Sequence, residues 1–459
     1  MTSRATLLST VGLSLALGLG IWAAHADPAG GVLDTFPGMP PVTDPVNLYR
    51  GAAAGELSPA AADALPRVYV PNLRSNDVYV IDPATLRVVD RFRVGRMPQH
   101  IVPSWDLKTL WVNDNGLRGA EGSLTPIDPK TGKPGPAIPV ADPYNLYFTP
   151  DGGSAIVVAE RLERLDFRDP HTMALQQSLP TPGCAGVNHA DFALDGKYAV
   201  FTCEFGGGGL IKVDLVERKV VGHINLIRTN LITQAALVVP EDDEPAGASL
   251  PGATLANATL ANATNDVALP DATLAAATAT DVSLTSAAFC GRGINAFGSM
   301  PQDIRVSPDG KLFYVADMMA DGVYVVDGAE FKQIGYIPTG VGTHGLYPSR
   351  DGTKLYVVNR GSHDVRGRRR GPGSISVLDF ATQEVVANWP IPRGGSPDMG
   401  NVSADGRFLW LSGRYDNVVY VIDTNMGGVA TIPVGTEPHG LTVWPQPGRY
   451  SLGHTGNMR

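Results

Sequence analysis

The sequence predicts an all-β fold, a seven-bladed β-propeller closed by three N-terminal strands and one C-terminal strand, and three observations carry that prediction. A unit of short apolar segments separated by turns recurs along the chain, as in Met300 to Val341. An Asp-Gly turn returns at Asp151-Gly152, Asp195-Gly196, Asp309-Gly310, Asp351-Gly352 and Asp405-Gly406. The first unit lacks its innermost strand, while the C-terminal segment Gly440 to Trp444 supplies a spare one.

Each blade follows from this spacing. Innermost strands start near His100, Asn145, His189, Asp303, His344, Asp398 and His439, at intervals of 45, 44, 114, 41, 54 and 41 residues. A four-stranded blade takes about 40 to 45 residues. Asp-Gly between apolar runs reads as a two-residue hairpin turn with positive φ at both central positions. Arg67 to Asn72, Val78 to Asp82 and Val88 to Gly95 give three strands without an inner partner. Pairing them with the C-terminal strand closes the ring without a free sheet edge, over residues 67–446. Several separate β domains would leave this split unit unexplained.

The 114-residue interval holds an Ala/Thr-rich insertion at about 228–298, with an acidic run Glu241-Asp242-Asp243-Glu244 and no Lys, Arg or aromatic residue from Ser249 to Ala288. Such a stretch can bury little apolar area and reads as a disordered surface loop; a short five-residue coil is the alternative. Residues 27–66, rich in Pro, Gly and Ala, read as an extended lead across one face of the ring, and 447–459 as a C-terminal tail. Residues 1–26 offer Arg4, an apolar run to Ala24, and small residues at Ala24 and Ala26, as a secretory signal peptide does. A periplasmic or secreted, non-membrane-spanning monomer is expected. In that oxidising setting Cys184, Cys203 and Cys290 suggest one disulfide and one thiol, with Cys184–Cys203 or a pair from either to Cys290 left open.

The composition, 43% hydrophobic and 18% charged, excludes disorder as the main state. A net charge of -9 makes nucleic acid an improbable partner for the whole surface. A basic loop, Arg366, Arg368, Arg369 and Arg370, stands apart and could hold a phosphate, a sulfate or a single-stranded nucleic-acid backbone.

Starts of inner strands and ends of second strands meet at one mouth of a propeller channel, because adjacent strands are antiparallel. Here those positions carry Asn145, Asp303, Asp398, Glu204, Asp317, Arg360 and Arg414 as candidate ligand-binding residues. They also carry His100, His189, His344 and His439, candidates for holding a metal ion, since imidazole is the commonest protein metal ligand. His344 and His439 precede Gly, whereas His100 and His189 end a polar pair, a register difference that works against one four-ligand site. Zinc or copper fits such a set. Met97, Met300, Met318, Met319 and Met399, near Cys184 and Cys203, tilt the chemistry toward copper.

The segments Val306-SPDGKLFYVAD, Leu346-YPSRDGTKLYVVNRG, Val402-SADGRFLWLSGRYDNVVYVID and Val434-GTEPHGL resemble the YVTN-type β-propeller family, with lactonase-type and nitrite-reductase-type relatives. The resemblance covers residues 67–446 and implies an exported protein with a binding or scaffolding role. Similar propellers include lactonases, haem-containing reductases and metal chaperones, and a fold of this kind fixes no single activity. The sequence carries no Cys-x-x-Cys-His motif, which argues against a c-type haem. No motif fixes a nucleophile. The expectation is therefore a binding protein that captures a small ligand, a metal ion or a protein segment at the His/Asp/Asn-lined mouth. A periplasmic metal-dependent oxidoreductase or lactone hydrolase using the same mouth is the alternative, with a polyanion binder acting through Arg366–Arg370 as the third.

Overall fold

In the computed structural model, which describes residues 33–117, 120–227, 299–365, 372–454 and 456–459, seven sheets form the blades of a β-propeller. The innermost strands are Pro98–Pro103, Pro143–Phe148, Val187–Phe192, Pro301–Val306, Thr343–Pro348, Pro397–Val402 and Thr442–Trp444. Six of them are buried on nearly every residue because the next blade and the axis cover both faces, whereas outer strands such as Arg87–Arg93 alternate toward solvent. The first blade mixes chain ends as the spacing predicts: Thr442–Trp444 pairs antiparallel with Arg67–Asn72, Val68 opposite Val443 and Tyr69 opposite Thr442. The signal-peptide residues 1–26, the insertion at 228–298 with Cys290, and Arg366, Arg368, Arg369 and Arg370 lie outside the described residues.

The Asp-Gly turns differ in detail from the expected two-residue hairpins. Only the glycine has positive φ, from 69° at Gly352 to 78° at Gly406. In the Ser307 to Leu312 loop, the Gly310 amide donates to the Ser307 carbonyl, and Ser307 Oγ donates to Asp309 while accepting from the Leu312 amide. A Ser or Thr two residues before the Asp thus builds a longer loop, a tight turn followed by a left-handed glycine. The pattern recurs at Thr149-Asp151, Ser349-Asp351 and Ser403-Asp405.

The lead and the tail both run over the face that carries these turns. The Phe36 amide donates to the Asp195 carbonyl, and the Leu48 amide to that of Pro308. Leu48–Ala52 and Pro59–Ala61 form short 3-10 turns. The tail residues Ser451, Leu452, His454, Asn457 and Met458 are buried. The tail aligns antiparallel along Pro143–Phe148, with Gly453 opposite Tyr147 and the His454 amide donating to the Leu146 carbonyl. Gly453 is required there, since a Cβ would lie 2.4 Å from the Leu146 oxygen and its φ is 104°. Among the described residues no helix is long and apolar enough to cross a membrane.

Candidate functional site

A recurring irregularity places the polar side chains. In the second blade Pro98 pairs with Asp114 and Ile101 with Val112, so the inner strand carries one extra residue, and the same shift occurs at Val187/Ala190, Pro301/Ile304, Thr343/Gly345 and Pro397/Gly400. A bulge of this kind re-aims side chains, which lets two consecutive residues on one strand leave the blade. Gln99 with His100, Asn188 with His189 and Gln302 with Asp303 are all buried polar pairs at this position.

Five of the nine histidines converge between the blades, each no more than 2% exposed: His100, His189, His344, His439 and, from the tail, His454. His100 is central, its ring centroid 4.7 Å from that of His439, 5.0 Å from His454 and 5.5 Å from His189. Its packing against Gly440 is close enough that a Cβ there would meet Nδ1. The remaining four divide into two groups, each spanning less than 4.8 Å between potential ligand atoms: His344, Asp398 and His439, and His189, Asp303 and His454. His454 escaped the sequence reading because it lies outside the repeat, and only the tail's return along the third blade brings it here.

In the first group His344 Nδ1 lies 3.0 Å from Asp398 Oδ1, and His439 Nε2 lies 3.5 Å from Asp398 Oδ2. His439 Nδ1 sits 3.2 Å from the Gln99 carbonyl oxygen, a partner that can only accept, so Nδ1 carries the proton and Nε2 presents a lone pair. A lone pair and a carboxylate oxygen therefore face each other with no donor between them, and neither His344 Nδ1 nor His439 Nε2 has an aligned hydrogen bond. Arg360 and Arg414 approach Asp398 at 3.5 and 3.4 Å, and Arg414 also reaches Glu437. Burial pulls the pKa values of the imidazoles down, to about 3 at His100 and about 4 at His344, and well below the usual value at His439. Burial works to raise Asp398, but His344, Arg360 and His439 outweigh it and hold that carboxyl well below its usual range. At neutral pH the group is thus an ionised carboxylate among neutral imidazoles, the protonation state that metal ligation requires.

The second group is wired differently. Asn145 Nδ2 lies 3.0 Å from His189 Nδ1, 3.2 Å from His454 Nδ1 and 3.3 Å from the Tyr147 hydroxyl, while Asn145 Oδ1 accepts from the Leu146 amide at 2.9 Å. Asp303 accepts from Arg305 and from the Ile304 and Leu346 amides, the last tying the fifth blade to the sixth, and His454 Nε2 stands 3.6 Å away. Burial raises Asp303 to about 6.

The other candidate residues sit around these groups. Glu204 accepts from Asn188 at 2.8 Å and Gln302 at 3.1 Å. Its neighbour Glu160 is pushed well above the usual carboxylate range, first by burial and then by the Glu204 charge. Asp317 faces its own loop, accepting from Ser299 Oγ and the Met300, Met319 and Ala320 amides, and belongs to neither histidine group. Cys184 and Cys203 form a disulfide, which removes both thiolates as ligands, and the Met318 sulfur lies against Arg360.

Comparison with known proteins agrees with this architecture. No curated protein matches the chain in sequence. Hydrazine synthase from Kuenenia stuttgartiensis superimposes with a TM-score of 0.53 at 15% identity, over 82% of this chain and 96% of that one. A candidate 6-phosphogluconolactonase from Bacteroides uniformis ATCC 8492 gives 0.53 at 14% identity, over 82% and 98%. A functionally unknown protein from Desulfotomaculum acetoxidans DSM 771 gives 0.53 at 12%, also over 82% and 98%. At these identities the likeness is one of fold. The YNCE-like beta-propeller family model matches residues 33–169 and 272–447, and the chain therefore belongs to that family.

Proposed function

We propose that this propeller is a metal-binding protein whose axial core takes a transition-metal ion, zinc or copper, at His344, Asp398 and His439, with His100 as the adjoining imidazole. The observation that carries this reading is the His439 lone pair facing the Asp398 carboxylate across 3.5 Å, since two acceptors at that distance call for a positive centre between them. The Gln99 carbonyl fixes the His439 ring in the ligand tautomer, as the outer partners of metal-bound histidines do. Two imidazoles and a carboxylate suit zinc and copper better than calcium or magnesium. Arg360 and Arg414 place positive charge beside the ion, which favours an anionic or hydroxide fourth ligand at the same point. With the leader expected at residues 1–26, the ion is captured after export.

Metal analysis of purified protein, stripped with a chelator and reloaded with zinc(II) or copper(II), tests the reading. The wild type is expected to retain about one ion at this group, and His344→Ala or His439→Ala to weaken retention at least ~10-fold, as loss of a ligand or its support does. A wild type that retains no ion, with both variants melting as it does at any metal concentration, rejects it.

A further inference from the structure

The two His/Asp groups look alike by composition, yet their hydrogen bonds assign their ring protons in opposite ways. The atom of Asn145 that meets the Leu146 amide must be the oxygen, because a nitrogen there would set two donors 2.9 Å apart. The Asn145 amide nitrogen is then the atom that faces His189 Nδ1, His454 Nδ1 and the Tyr147 hydroxyl, and since that hydroxyl already accepts from the Ala190 amide at 2.8 Å, its two hydrogens go to the two nearer imidazole nitrogens. Both rings must present lone pairs at Nδ1. A ring that accepts at Nδ1 holds its one proton on Nε2. His189 Nε2 is buried with no hydrogen-bond partner, and His454 Nε2 faces Asp303. In His439 the arrangement is reversed, with the proton on Nδ1 and the lone pair toward Asp398.

We propose that Asn145 is a specificity-determining residue: by donating to both Nδ1 atoms it keeps the Nε2 positions of His189 and His454 protonated and withholds the second group from metal ions. The inference rests on the metal reading given above for the first group. A cation at the second group would need deprotonated Nε2 atoms, and a ring that loses that proton while still accepting at Nδ1 is an imidazolate. Alternatively both rings would take a proton at Nδ1 and point it at the amide hydrogens. Either change is costly in a buried site. The core therefore takes one ion, and the His189, Asp303 and His454 group serves to dock the tail against the third and fourth blades.

Asn145→Asp replaces the donor by an acceptor of the same size and keeps the Leu146 contact. It is expected to move both protons to Nδ1, free both Nε2 lone pairs and raise zinc(II) stoichiometry from one to two per chain. Two readouts decide the matter. Nitrogen chemical shifts of histidine-labelled, metal-free protein are expected to show His189 and His454 as Nε2–H and His439 as Nδ1–H in the wild type, with His189 and His454 inverted in Asn145→Asp. Zinc(II) titration of His189→Gln is expected to leave stoichiometry at one, which covers the case of an Asn145→Asp chain that does not fold. A wild type with Nδ1–H at His189 and His454, or one that binds two zinc ions, overturns the role given to Asn145 while leaving the metal reading standing. A wild type that binds no zinc removes the metal reading as well.

Discussion

At the residue scale the core is governed by what each buried polar atom faces. His100, His189, His344 and His439 were legible in the sequence because the repeat sets each near the start of an inner strand, though not in one register, and their polarity there needs a reason that a generic scaffold would not supply. The part proposed for Asn145 was not legible, since it depends on a contact across 309 residues with a tail outside the repeat. Asp114 shows the same physics without any ligand. It is buried, accepts from Thr125 and Ser123, and burial raises it to about 6 from an ordinary 3.8. Between those values the folded chain holds a proton that the unfolded chain has lost, so stability falls as pH rises through that window and stays lower above it. Asp114→Asn removes the effect. Relative to the wild type it is expected to gain about 2–3 kcal/mol between pH 4 and pH 7.5, read by denaturant unfolding at the two values. Parallel pH curves for the two proteins would refute the assignment.

At the element scale the blades were readable because apolar alternation and Asp-Gly turns recur at nearly constant spacing, and the inner strands begin where polar residues interrupt that pattern. The bulge was less visible, since a polar pair such as Gln99-His100 does not reveal that both side chains leave the blade. The turn type differs from a two-residue hairpin for a physical reason: at four of the five Asp-Gly positions a Ser or Thr two residues before the Asp stabilises a longer loop, and at Asp195-Gly196, where Ala193 stands there, the Gly196 amide still closes on the Ala193 carbonyl. The fourth blade adds a covalent clamp, Cys184–Cys203, bridging the segment that leads into its inner strand to the end of its second strand. With the two cysteines 19 positions apart, closing that loop in the unfolded chain is worth about 3 kcal/mol. A Cys184→Ala/Cys203→Ala chain is expected to lose about that much in equilibrium unfolding. Unchanged stability would mean that packing alone holds the blade.

At the scale of the whole molecule, ring closure by Thr442–Trp444 leaves the remaining residues free to turn back, and they do so into the channel rather than away from it. The axis is therefore filled from the Asp-Gly face by the chain's own end, with Arg459 paired to Asp191 and His454 among the histidines. The ring with its split blade could be read from spacing alone, whereas the filling of the channel could not, because nothing in the tail's composition announces where it docks. A filled channel turns ligand candidates at a mouth into an enclosed polar core, where unpartnered lone pairs are costly and a bound ion relieves that cost. The most direct measurement is anomalous diffraction at the metal's absorption edge, from crystals of protein reloaded with zinc(II) or copper(II). The account predicts one peak, enclosed by His344, Asp398 and His439. An absent peak there, or density for metal only elsewhere on the protein, would contradict it.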